Sequence, residues 1–176
     1  MFRLFLLGGF LLSIPSMLLA QRIDSAASSV TFEIKNMKIN TVEGSFSGMK
    51  GEVNFDADDL SVCEFNVCID ASSVDTGNKK RDEHLRKDDF FHVERHPTIC
   101  FTSSEIMRSG NAYTTKGVLD MNGVSKEVNI PFVLENNAFK GDLNINRFDY
   151  AIGDKYGKFM VDDEVTIRIK CVVEGL

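Results

Sequence analysis

All three histidines of the chain lie between Ser72 and Thr102, in the run SSVDTGNKKRDEHLRKDDFFHVERHPTICFT, where acids and arginines also crowd. Asp82, His84, Asp88, Asp89, His92 and His96 have the side chains of metal ligands. Asp88 and His92, and His92 and His96, are four apart, the spacing that aligns side chains on one helical face. One continuous helix is disfavoured by Asp89-Phe90-Phe91 and by His96-Pro97, because the residue before a proline leaves the helical region. The His-Glu-x-x-His zinc pattern is absent as well. Ser72, Ser73, Asp75 and His84 supply the residue types of a serine hydrolase, without a Gly-x-Ser-x-Gly elbow or an oxyanion-hole motif. Gly44, Gly48 and Gly51 lack the strand-to-helix setting of a dinucleotide fingerprint, and suit sharp curvature or close strand approach instead. Arg81 and Asp82 read as an ion pair or as a clamp between helix and loop. The reading these residues favour is a hydrogen-bonded cap over a pocket. The alternative, a small exported enzyme or redox accessory using the Asp/His/Arg-rich cap, is weakened by the lack of a Cys-x-x-Cys motif.

The elements that must carry this segment are strands. Period-two alternation runs through Val30, Phe32, Ile34, through Cys63, Phe65, Val67, Ile69, and through Ile99, Phe101. It returns in Val128, Ile130, Phe132, Leu134, in Leu143, Ile145, and in Val165, Ile167, Ile169, Cys171, Val173. Asp56–Asp59, Ser109-Gly110-Asn111, Asn122-Gly123 and Asn136-Asn137 punctuate these runs. Asn122-Gly123 is a strong tight-hairpin signal, since both positions tolerate positive φ. Pro131 inside an alternating run points to an edge, a bulge or a wide-pair position. Only 78–87 reads as helical, opened by Asn78 or Gly77 and anchored by Leu85. About eight antiparallel strands with one short helical insertion make a closed barrel or a sandwich, and a barrel of eight can hold one small ligand. The chain has 14 Phe and no Trp. Such a set of rings lines a tunnel or fills a solid core equally well.

Residues 1–20 read as a secretory signal: Arg3, then an apolar run from Leu4 to Leu19 broken by Ser13, Pro15 and Ser16, then Ala20 before the expected cut. Residues 21–176 form the expected single domain. Removing Arg3 takes the formal charge from −6 to −7, because the leader holds no other charged residue. An acidic exported chain is a poor partner for nucleic acid, and no later stretch is long and apolar enough to span a bilayer. Cys63 and Cys68 sit on opposite faces and too far apart to bridge. Cys63 and Cys171 fall on the apolar parity of their strands, where buried thiols are the blander expectation, and a Cys68–Cys100 bridge on the outward parity stays open.

Six stretches in this order and spacing resemble the YceI-like family. They are Ile23-Asp24 with Ser28–Phe32, EGSFSGMKGEVNF (43–55), the cap run extended to Ser103, GVLDMNGVSKEVNIPF (117–132), NRFDYAIG (146–153) and VDDEVTIRIK (161–170). The family pattern often has a glycine where Ala151 stands. The resemblance implies an all-β fold, an extended eight-stranded antiparallel lipocalin-like barrel with a long pore and a helical segment beside it. It also implies a periplasmic or secreted, non-enzymatic protein that binds, carries or stores a polyisoprenoid or similar long-chain amphiphile such as a quinone-like lipid. No catalytic cofactor or metal is expected, and a homodimer is compatible with this reading. The expected pore-lining residues, from alternation, are Phe32, Phe55, Phe65, Val67, Phe101, Phe132, Ile145 and Ile167. Phe90 and Phe91 are expected to close the helix side. Arg147 and Asp149, two apart, would share a strand face and either hold a polar ligand end or tie adjacent strands.

Overall fold

The computed structural model describes residues 20–36, 40–157 and 160–176; the expected leader, apart from Ala20, lies outside them. The strands are β1 (Arg22–Ile23), β2 (Ser29–Asn36), β3 (Asn40–Phe46), β4 (Lys50–Asn54), β5 (Glu64–Asp70), β6 (Thr98–Ser109), β7 (Ala112–Met121), β8 (Val124–Glu135), β9 (Ala138–Asn146) and β10 (Val161–Glu174). The helix α1 spans Lys79–Leu85. All ladders are antiparallel, in the order β3-β2-β10-β9-β8-β7-β6-β5-β4, with β1 beside the end of β10.

That order begins and ends in one stretch of chain. Ser47, Gly48 and Met49 alone separate β3 from β4, so the curled sheet returns to its own starting strand. β3 gives its length to β2 and β4 gives its length to β5. Counting β3 and β4 as one bent strand recovers the eight expected from sequence; the bend, with Gly48 at φ +72°, makes nine, and the two-residue β1 is additional. Two bridges draw the edges together, Gln21 with Val53 and Ser45 with Asp75.

The turns follow their residue chemistry. Asn122 and Gly123 adopt φ of +53° and +75°, and Asn136 and Asn137 adopt +51° and +60°, the positive angles that asparagine and glycine accept at low cost. Alternation is cleanest on β7, where Tyr113, Thr115, Leu119 and Met121 are buried and Val118 and Asp120 face outward. Pro131 sits opposite Thr114 of β7, and the β8–β9 ladder stops one residue later at Phe132–Gly141. The proline's missing N–H therefore falls where no ladder needs it. Beyond that fork the chain leaves β9 in a 3-10 turn, Arg147–Tyr150, tied back to β8 by Lys126–Asp149 at 2.7 Å and to the β7–β8 turn by Asn122 donating to the Tyr150 carbonyl at 3.1 Å.

Helix α1 begins one residue later and ends two residues earlier than the sequence suggests. Asn78 caps it by accepting from the Arg81 N–H at 3.2 Å. Cys68 and Cys100 face each other across β5 and β6 and are joined in a disulfide, the bridge left open by the sequence. Cys63 and Cys171 are free. Cys63 precedes β5 rather than lying in it, and its sulfur accepts from the Asp56 N–H at 3.1 Å. Burial pushes the Cys171 thiol up to about 12, which holds it protonated and unreactive at neutral pH.

Candidate functional site

The inward faces of the strands surround a cavity of about 230 Å³. Engineered apolar cavities of about 150 Å³ already take up benzene. Phe32, Phe65, Val67, Phe101, Phe132, Ile145 and Ile167 all line it, and Phe90 and Phe91 meet it from the cap. Val165 and Ile169, which alternate with Ile167, line it as well, as do Leu119, Met121 and Phe139 on the inward parity of their strands, and Met49 and Ile152, which come from irregular segments.

Two glycines explain how so many rings leave a space. A methyl on Gly44 would lie 2.4 Å from Cζ of Phe32, its cross-strand neighbour, and one on Gly117 would lie 2.6 Å from Cζ of Phe101. The rings lie along the wall over these glycines instead of standing into the interior. The glycines thus make room for rings; for Gly44 the sequence suggests sharp curvature or close strand approach, and Gly117 carries no such signal.

Phe55 is a correction. It is 3 % exposed and does not line the cavity; it follows β4 and seals one end. Its ring meets Tyr113 at 5.3 Å, Phe139 at 5.1 Å, and Phe65 and Phe132 at 6.2 Å. Gln21 pairs with its backbone, donating to the Phe55 carbonyl at 3.1 Å and accepting from the Phe55 N–H at 2.9 Å. The edge-on ring contacts place positive ring edges against negative faces, which stabilises a dry plug.

At the other end lies the cap. Leu85, Phe90 and Phe91 reach the cavity, and Phe91 packs edge-on against Phe46 at 5.2 Å. Hydrogen bonds hold this segment down. Arg81 donates to the Thr76 hydroxyl at 2.7 Å and to its carbonyl at 2.9 Å, while buried Asp82 accepts from the Thr76 N–H at 2.9 Å. Arg81 and Asp82 are thus a clamp of helix to loop. Arg86 donates to the carbonyls of Ser72 at 2.7 Å and Val74 at 2.8 Å. His84 and Asp89 lie 3.0 Å apart, and the Tyr156 hydroxyl is 3.2 Å from each. Burial works against the Asp89 charge, but bonds from His84 and Tyr156 outweigh it and hold the carboxyl below its ordinary value.

Neither the serine-hydrolase set nor the metal set comes together among the described residues. The Ser72 hydroxyl donates to the Asp70 carboxylate at 2.7 Å, and that of Ser73 to the Asp70 carbonyl at 2.6 Å, while His84 turns to Asp89 and Tyr156. His92 has left the helix, at φ +44°, and no group of three His, Cys, Asp or Glu side chains is arranged to hold a metal among the described residues.

Arg147 and Asp149 do not share a face, because the chain has left the strand for the 3-10 turn. Asp149 points out to Lys126, away from the cavity. Arg147 borders the cavity but is 2 % exposed. It donates to the carbonyls of Asp162 at 2.8 Å, Ile152 at 2.8 Å, Gly153 at 2.6 Å, Val161 at 3.1 Å and Tyr156. A guanidinium has five N–H groups, so five carbonyls occupy it. Of the two roles expected for it, the geometry is that of the structural tie.

Ala151 ends the same turn at φ +52°, ψ +36°. A Cβ is disfavoured in that left-handed region by roughly 1–2 kcal/mol, partly offset by the greater unfolded freedom of glycine. Ala151→Gly will therefore stabilise the fold by about 0.5–1 kcal/mol, read as a raised urea midpoint at unchanged slope. A lowered midpoint would contradict this.

A strongly curled antiparallel sheet with an apolar interior and, among the described residues, a single short α-helix over one end defines the class, a lipocalin-like β fold. The chain belongs to the YceI-like family, whose domain model matches residues 21–173. A UPF0312 protein of Pectobacterium atrosepticum is 32% identical over 153 residues, covering 81% of this chain and 80% of its own. Among solved structures, Burkholderia cenocepacia BcnA matches with a TM-score of 0.79 at 28% identity, covering 85% of this chain and 98% of its own. A polyisoprenoid binding domain from Saccharophagus degradans, implicated in plant cell wall breakdown, shares the fold with a TM-score of 0.69 at 18% identity, covering 90% of this chain and 99% of its own.

Proposed function

We propose that this protein is a non-enzymatic, exported carrier or store for a polyisoprenoid or similar long-chain amphiphile, held in the barrel interior. The observation that carries the reading is the apolar cavity of about 230 Å³ inside a YceI-like domain. Membership of that family and the polyisoprenoid-binding fold neighbour support the ligand class; the apolar leader-like segment at residues 1–20 supports export. Binding of this kind needs no reactive group. Each methylene leaving water contributes about 0.8 kcal/mol before ordering costs are subtracted. Supporting a structural role for the cap, Arg81, Asp82, His84, Arg86 and Asp89 all have bonded partners within the protein.

Native mass spectrometry of protein purified gently from its own cells will show a lipid adduct that organic extraction removes. Phe101→Ala, which strips a ring from the wall, will change the spectrum or retention of that adduct while secretion persists. Protein that is always empty, with no affinity for quinones, polyprenols or fatty amides, would sink the carrier reading.

A further inference from the structure

The cavity wall offers a ligand almost nothing polar. Among the described residues that line it, only Thr115 and Arg147 have side chains carrying nitrogen or oxygen, and both are engaged. The Thr115 hydroxyl is 2 % exposed for the residue as a whole and donates to the Glu105 carbonyl at 3.3 Å. Arg147 directs its N–H groups to five backbone carbonyls. The backbone polar groups of a β wall lie along the sheet between strands, not along the side-chain direction into the interior. At the Phe55 end the Gln21 amide pairs with the Phe55 backbone and the Tyr113 hydroxyl accepts from Arg108 at 2.6 Å, and none of Gln21, Asn54, Tyr113 and Arg108 borders the cavity.

The two ends differ. Phe55, Phe132, Phe139 and Tyr113 are each under a tenth exposed, whereas Leu85, Phe90 and Phe91 of the cap are only half-buried. Behind Phe90, whose ring stacks on Tyr156 at 5.3 Å, stand the Tyr156 hydroxyl, His84 and Asp89. The cap end, with its half-buried rings, is thus the end open to water, and among the described residues no polar side chain of the Phe55 end borders the cavity. A hydroxyl buried without a partner loses its hydrogen bonds to water and gains none in return.

Resting on the carrier reading, we infer that the cavity accepts only an uninterrupted hydrocarbon segment. The chain enters tail-first toward the Phe55 cluster and leaves its polar end at the cap beside Phe90 and Tyr156. The interior therefore selects on the tail and is nearly indifferent to the head: an alcohol, an acid and an amine on the same chain are equivalent, and a polar atom at the far end of the chain is rejected.

The test uses the whole protein emptied by organic extraction and refolded, with competition read by native mass spectrometry. The probes are hexadecan-1-ol, hexadecanoic acid, hexadecylamine and 16-hydroxyhexadecanoic acid. The first three will bind within about fivefold of one another, and the terminal hydroxyl will weaken binding about tenfold or more relative to hexadecanoic acid. Hexadecanol carrying a diazirine on its last carbons will label peptides containing Phe132 and Phe139, and one with the diazirine near the hydroxyl will label 85–91. Equal binding of the two acids, or reversed labelling, overturns the inference and leaves the carrier reading standing. If none of the four probes binds, nor any quinone or polyprenol, the carrier reading itself fails and the inference falls with it.

Discussion

Arg147→Met will lower stability by about 3–5 kcal/mol, a fall in Tm of roughly 10–15 °C for a domain of this size. The methionine matches the length and burial of the arginine stem but offers no donor. Five carbonyls, from Ile152, Gly153, Tyr156, Val161 and Asp162, would then lose their partner at once. Each carbonyl left buried and unpaired costs about 1–3 kcal/mol, and local relaxation toward water keeps the sum below simple addition. Burial alone would weaken the arginine's charge, and Asp154, Asp163 and Asp162 nearby oppose that loss. Removing the cation therefore also takes a favourable charge partner from these acids. Arg147→Lys will recover only part of the loss, since an ammonium has three donors and no fork. Urea midpoints of the three proteins decide the matter: a methionine variant within 1 kcal/mol of wild type would show that the carbonyls find water without cost. The charge persists across the whole ordinary pH range, so this contribution will not titrate away near neutrality.

Opening the Cys68–Cys100 bond will be the second large effect. The two cysteines are separated by 32 positions, a loop that contains the entire cap. Cross-linking a loop of that length removes unfolded-state entropy worth about 3–4 kcal/mol at 25 °C in the chain-entropy treatment. The double replacement Cys68→Ser, Cys100→Ser will shift the denaturation midpoint by an amount of this order, and reductant will shift wild type toward it. The effect lies mainly in the unfolded chain, so the native sheet register Val67–Phe101 and Ile69–Ile99 on either side will survive. A midpoint that neither substitution nor reductant moves would place the loop-closing constraint elsewhere.

Alternation made much of the site legible before any fold was known. Phe65 and Val67, or Val165, Ile167 and Ile169, recur every second residue, and a pleated strand has no choice but to send them to one face. The same rule failed where the strand ended. Phe55 lies one residue past β4 and became a plug, and Asp149 lies in a 3-10 turn that rotated it away from Arg147. The cap was recognisable by its polar crowding, but the pairing of His84 with Asp89 and Tyr156 joins residues up to 72 positions apart, which no local pattern encodes.

By itself, then, the sequence determined the all-β character, the turns at Asn122-Gly123 and Asn136-Asn137, a short helix within 78–87 and the family, because each rests on local spacing or on ordered motifs. Only the tertiary structure decided that Cys68 meets Cys100, that β3 and β4 are two halves of one bent strand, and that Arg147 is consumed by five carbonyls. It also decided that the interior is hollow. A chain rich in phenylalanine fills a core or lines a space according to where each ring has room to lie, and that room is made by glycines on other strands: Gly44 beneath Phe32 and Gly117 beneath Phe101.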